Sequence, residues 1–263
     1  MIKALQSGLV VPSFAWKEDD MMQQVRRQLD RVHLEVIGTT LSDVRSAEAA
    51  GADRIELITA IQEGGLTPSL ALVEQAVETA SIPVRVMVRP HARSFVYDQD
   101  DMKTIVRDVE LIASIGAEAI VFGALTEDGK VDERALEQVF KAARSMKMTF
   151  HRAIDESRNL LEAFKTVQQY EGITDILTSG GADRAPEAVD QFKALLQESG
   201  PQGIHIMAGA GLNLQNITDF VRESGVSYVH FGSGVRRSGD AMQPIDAARV
   251  QELRQLLVQA VLV

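Results

Sequence analysis

From His33 onward the chain alternates short runs rich in β-branched residues with longer stretches whose apolar positions recur at helical spacing. Alternation of this kind predicts consecutive strand–helix units over a parallel sheet. Eight strands are expected, at 33–36, 54–57, 84–88, 119–122, 149–151, 175–177, 204–207 and 228–231. Eight amphipathic helices follow them, at 41–50, 70–80, 101–115, 133–146, 160–170, 186–198, 214–223 and 246–262. Three helix-to-strand turns share one solution: Ala50-Gly51-Ala52-Asp53, Ile115-Gly116-Ala117-Glu118 and Ser224-Gly225-Val226-Ser227. In each, glycine is free to take the left-handed conformation that ends a helix.

Eight such units fit either an open doubly wound sheet or a closed (β/α)8 TIM barrel. The barrel is preferred because a helix follows the last strand, and because Gly38-Thr39-Thr40 stands where a glycine-rich dinucleotide turn would follow the first. A length of 263 residues suits one barrel domain. The expectation is an α/β chain with an N-terminal extension over 1–32, containing one helix at 18–29, and a barrel over 33–263.

Composition narrows the partners. The chain is 45% hydrophobic and 24% charged, as ordinary globular proteins are. A formal net charge of −10 repels phosphate backbones and anionic lipid surfaces, so neither nucleic acid nor membrane is expected as a partner. With no cysteine, disulfides, thiolate catalysis and cysteine-based metal sites are excluded. Ser7, Gly8 and Pro12 break up the first apolar stretch, which does not resemble a secretory signal, and no run is long enough to span a bilayer. A cytoplasmic location is expected.

Barrel strands point alternate side chains inward. That parity turns Glu35, Arg54, Glu56, Arg85, Arg89, Thr149, His151 and His230 toward the interior, where Val, Ile and Leu are usual. Two readings of this charge are open. One is a structural network in which Arg54 and Arg89 neutralise Glu35 and Glu56. The other is a site at the carboxyl-terminal strand ends, with Glu35, Glu56, His151 and Asp155 as catalytic candidates. Around that face lie Glu63 in Glu63-Gly64-Gly65-Leu66-Thr67-Pro68-Ser69, Arg89, Arg152, and Thr178 and Ser179 after the sixth strand. Gly209 and Gly211 follow the seventh strand and Gly232 and Ser233 the eighth, where many barrels hold a phosphate on backbone N–H groups. These loops, with a helix start near Asn213, are the expected binding site for a small anion.

The segments Ala52-Asp53-Arg54-Ile55-Glu56-Leu57, EGGLTPS, Arg89-Pro90, TFHRAID, LTSGG and MAGAG together resemble the CutC family of copper-homeostasis proteins, over about residues 34 to 233. The resemblance implies a cytoplasmic TIM barrel with a part in copper tolerance or trafficking, and Cu(I) as the metal. Cu(I) prefers sulfur ligands, which this chain offers only as nine dispersed methionines. If a metal binds, Glu35, Glu56, His151 and His230 suit a harder or borderline ion. Two functional classes remain: a copper-handling protein, and an acid–base lyase or isomerase acting on a small polar or anionic metabolite, either one as a monomer or a homo-oligomer.

Overall fold

A computed structural model describes residues 31–201 and 203–262. The expected helix at 18–29 lies outside the described residues. Eight parallel strands close in sequence order into a barrel. They are β1 (His33–Gly38), β2 (Arg54–Leu57), β3 (Val84–Met87), β4 (Ala119–Phe122), β5 (Lys147–Phe150), β6 (Ile173–Thr178), β7 (His205–Ala208) and β8 (Tyr228–Phe231). The intervening helices are α1 (Leu41–Ala49), α2 (Leu70–Thr79), α3 (Gln99–Ile115), α4 (Glu133–Ala143), α5 (Leu160–Val167), α6 (Val189–Ser199), α7 (Ile217–Ser224) and α8 (Ala247–Val261).

Strand parity sorts the side chains as expected. Leu34 and Val36 of β1, Ile55 and Leu57 of β2, and Ile120 and Phe122 of β4 point outward into the main core beneath the helices. A second, small apolar cluster of Ile58, Met87 and Val121, with Ile37 and Ile61 against it, fills part of the barrel interior. Gly116 and Gly225 cap α3 and α7 with φ of 89° and 75°, the left-handed geometry expected of them.

Helix and strand ends moved where local chemistry competes with the apolar pattern. Ala185–Glu187 form a 3₁₀ turn around Pro186, so α6 starts three residues later than the periodicity suggests. The helix expected from 214 begins at Ile217, because Asn213 Oδ1 accepts from the amides of Gln215 and Asn216 and holds that stretch as a turn. α4 stops at Ala143 because Arg144 turns to φ 58°. The fifth strand ends before His151, which instead caps the 3₁₀ helix Arg152–Glu156.

Candidate functional site

Parallel register places Arg54 beside Glu35 on one side and His230 beside it on the other. Paired residues face the same way, so all three meet inside the barrel. Arg54 Nε donates to Glu35 Oε2 at 2.5 Å, and its Nη1 donates to Asp175 Oδ1 at 3.0 Å. Arg85 Nη1 reaches Asp175 Oδ2 and Thr149 Oγ1, and Thr174 Oγ1 donates to the same Asp175 oxygen. Burial alone would raise the Asp175 carboxyl, but His205, Arg54 and Arg85 hold it far below the usual carboxylate range. This is a structural network at the amino-terminal end of the barrel, and its hub, Asp175, is a residue the sequence reading did not single out. Of the expected neutralising pairs, Arg54 does meet Glu35, and Asp175 besides, whereas Glu56 faces His230 in place of an arginine and Arg89 lies elsewhere.

A second row runs from Glu35 toward the opposite end. Glu35 Oε1 accepts from His230 Nδ1 at 2.7 Å, and His230 Nε2 lies 3.6 Å from Glu56 Oε2. Glu56 Oε1 is buried without a hydrogen-bond partner. Burial would raise Glu35, yet Arg54 and the His230 hydrogen bond outweigh it and hold the group at about 2. Glu56 has no such partner: burial pushes it up to about 7, with His230 offsetting only part. Burial would lower His230, but the carboxylates of Glu56 and Glu35 raise it instead. Both groups of this facing pair are thus shifted toward their protonated forms. The ligand atoms of Glu35, Glu56 and His230 lie within 4.8 Å of one another and could hold a metal ion; His151, the fourth metal candidate, is not in that group.

Glu56 and His230 form part of the floor of a cavity of about 480 Å³ at the carboxyl-terminal strand ends. Ile37, Ile58 and Met87 supply its apolar side, and Ala210 to Leu212 and Gly232 to Gly234 its far wall. Arg89 also lines it, with its guanidinium 4.5 Å above the Phe95 ring and Nη1 donating to the Glu63 carbonyl at 3.0 Å. No carboxylate pairs with Arg89 among the described residues. His151 is buried on the same cavity. Its Nδ1 accepts from the Ala153 amide at 3.2 Å, while Nε2 has no partner. Burial, aided by the charges of Arg89 and Arg152, pushes His151 down to about 3. That leaves it uncharged at neutral pH, a donor rather than a base.

The other expected site residues divide between the cavity wall and the loops behind it. Asp155 accepts from Thr178 Oγ1, Ser179 N, Ser179 Oγ and Gly181 N, and pairs with Arg152 Nε at 2.9 Å. So Thr178 and Ser179 tie the β6 loop to the β5 loop and do not line the cavity, whereas Asp155 and Arg152 line its rim. At Gly209 a Cβ would come within 2.7 Å of the Leu177 side-chain tip. Gly232 is tight against Ile37 at 2.9 Å, and Gly211, at φ 73°, against Arg184. Its neighbour Ala210 is also left-handed at φ 72°, an uncommon strain for a residue with a Cβ and one that gathers at ligand sites. Ser233 and Glu63 line the cavity, Glu63 with its exposed side chain and with the carbonyl that holds Arg89. Phe95 and Gly123, which shape the pocket around Arg89 and His151, were missed because they lie outside any recognisable motif.

The CutC family profile matches residues 32–235. A CutC family protein of Glaesserella parasuis is 33% identical over 217 residues, covering 82% of this chain and 88% of that protein. One from Pasteurella multocida is 37% identical over 206 residues, covering 78% and 84%. A crystal structure from Streptococcus agalactiae, whose name assigns it to copper homeostasis as CutC, aligns with a TM-score of 0.71 at 27% identity, covering 76% of this chain and 97% of that one. With the barrel, the interior charges and the strand-end cavity in hand, these matches identify the chain as a member of the CutC family.

Proposed function

We propose that this protein is an acid–base barrel enzyme, an isomerase or lyase, acting on a small anionic metabolite in the cytosol. The observation that carries the reading is Glu56, a buried carboxyl with one unpartnered oxygen on the cavity floor, raised to about 7 and backed by His230. A general acid–base group works best when its pKa lies near the working pH. Glu35 orients His230 by accepting its Nδ1–H, and Arg89 supplies a positive charge that no protein carboxylate neutralises among the described residues. A small carboxylate or phosphate monoester suits the cavity.

Copper enters through the family's name alone. Two carboxylates and one imidazole are hard to borderline donors, and both oxygens of Glu35 are already engaged by Arg54 and His230. That set does not fit Cu(I), which selects thiolate and thioether sulfur. A borderline divalent ion would find His230 Nε2 and Glu56 open and would keep water as its other ligands.

The test is solvent deuterium exchange into a panel of carboxylates and sugar phosphates, followed by proton NMR. Exchange is expected into at least one compound with the parent protein, to be abolished in Glu56→Gln with binding retained, and binding is expected to weaken at least about tenfold in Arg89→Met. Exchange that survives in Glu56→Gln would remove the proposed role.

A further inference from the structure

We infer that His151 presents its Nε2–H as a fixed hydrogen-bond donor to a carbonyl oxygen of the ligand, so that the substrate class is an anionic carbonyl compound. This rests on the cavity being a ligand site, as proposed above, and adds which functional group the ligand must carry.

The ring's orientation is set by four contacts. The Ala153 amide donates to Nδ1, which therefore holds a lone pair and leaves the hydrogen on Nε2. Phe95 packs at 4.8 Å between centroids and Phe150 at 6.3 Å, edge-on. On the β4 side the ring presses on Gly123, where a Cβ would come within 2.6 Å of Nδ1. The fold thus clears a place for the imidazole and fixes its tautomer. What it does not supply is a partner for Nε2, which is buried and unbonded on a residue that lines the cavity. Leaving a buried donor unmade is costly, and a ligand acceptor would relieve it.

A neutral donor is the kind of group that stabilises an enolate without being drained of its proton. Proton abstraction then balances within the site. The C–H proton adjacent to the carbonyl passes to the Glu56 carboxylate, the electron pair moves onto the carbonyl oxygen, and the enolate oxygen strengthens its bond to His151 Nε2–H. Where that carbon also carries a hydroxyl, return of the proton from Glu56 to the former carbonyl carbon, with the hydroxyl hydrogen passing to the enolate oxygen, moves the carbonyl by one carbon and completes an isomerisation, with no oxidant or second substrate. Arg89, linked to His151 through Phe95, holds the substrate's anionic group.

Two measurements on the 263-residue chain test this. The first is nitrogen NMR of histidine-labelled protein, where His151 should show the Nε2–H tautomer without titration between about pH 5 and pH 8. An imidazolium or an Nδ1–H tautomer in that range would overturn the assignment while leaving the Arg89 site standing. The second compares 2-oxopropyl phosphate with n-propyl phosphate, which differ by carbonyl against methylene. The ketone should bind about tenfold more tightly, the worth of one buried hydrogen bond. His151→Phe should erase that preference while keeping phosphate binding, and His151→Gln, whose amide reaches a similar position, should restore part of it. Equal affinity of the two phosphates in the parent protein would overturn the inference alone; binding of neither would overturn it together with the Arg89 anion site.

Discussion

At the scale of the residue, the informative contrast is between Glu35 and Glu56, which share the barrel interior on adjacent strands. Glu35 touches a guanidinium and is held at about 2; Glu56 touches only His230 and is raised to about 7. Linkage turns this into opposite pH dependences. The Glu35 contribution is present above its ordinary 4.5 and lost as pH falls toward 2, so it is constant across neutral pH. Glu56 binds its proton more tightly folded than unfolded, so its contribution is present below 4.5 and is lost as pH rises through 7. His230, also raised, acts in the same direction at higher pH. Glu56→Gln should therefore gain on the parent in unfolding free energy between about pH 5 and pH 8, by about 3 kcal/mol. Urea denaturation at both pH values measures it. A constant difference between the two proteins would mean that Glu56 is hydrated and ordinary.

At the scale of the element, Arg54 joins β1 to β6 through Glu35 and Asp175, and Arg85 brings in β3. Arg54→Met leaves two buried carboxylates short of their cation and should destabilise the fold by roughly 3 to 5 kcal/mol. The same change at Arg107, whose pair with Glu110 is solvent-exposed, should stay within about 0.5 kcal/mol in parallel denaturation curves. A small effect at Arg54 would show the network to be solvated. The strands themselves were legible because parity and β-branched runs are local signals, and the inward assignment of Glu35, Arg54, Glu56 and His230 followed from them. The pairing was not legible. Asp175 meets Arg54 across 121 residues, and nothing in Ile173-Thr174-Asp175-Ile176 says which cation it will find. In the same way, Thr178 and Ser179 read as binding residues until Asp155, more than twenty positions earlier, is seen to occupy them. Glycine loops carry the same ambiguity: at Gly209 the close approach of Leu177 gives a packing reason for glycine beside a ligand-binding one.

At the scale of the whole molecule, copper is the sharpest question, because a Cu(I) site would have to be assembled from whatever sulfur the fold brings together. The chain has no cysteine and nine methionines. Met87, Met102, Met146, Met148 and Met207 are buried, Met87 inside the barrel and Met102, Met146 and Met148 in the core beneath the helices. Met207 lies against the charged network, its sulfur 3.2 Å from Arg54 Nη2, where a second cation would be repelled. Among the described residues Met242 is the exposed methionine, at 64%, and stands on the loop before α8. Met21 and Met22 lie outside the described residues, and two adjacent thioethers make a weak site by themselves. Competition against a Cu(I) chelator, run under reductant, should therefore leave the protein without stoichiometric copper at nanomolar free metal. Reductant matters, because Cu(II) accepts nitrogen and oxygen ligands and would find Glu56 and His230. Retention of one Cu(I) per chain, lost when Met21 and Met22 are changed to leucine, would return copper handling to this protein as a direct function.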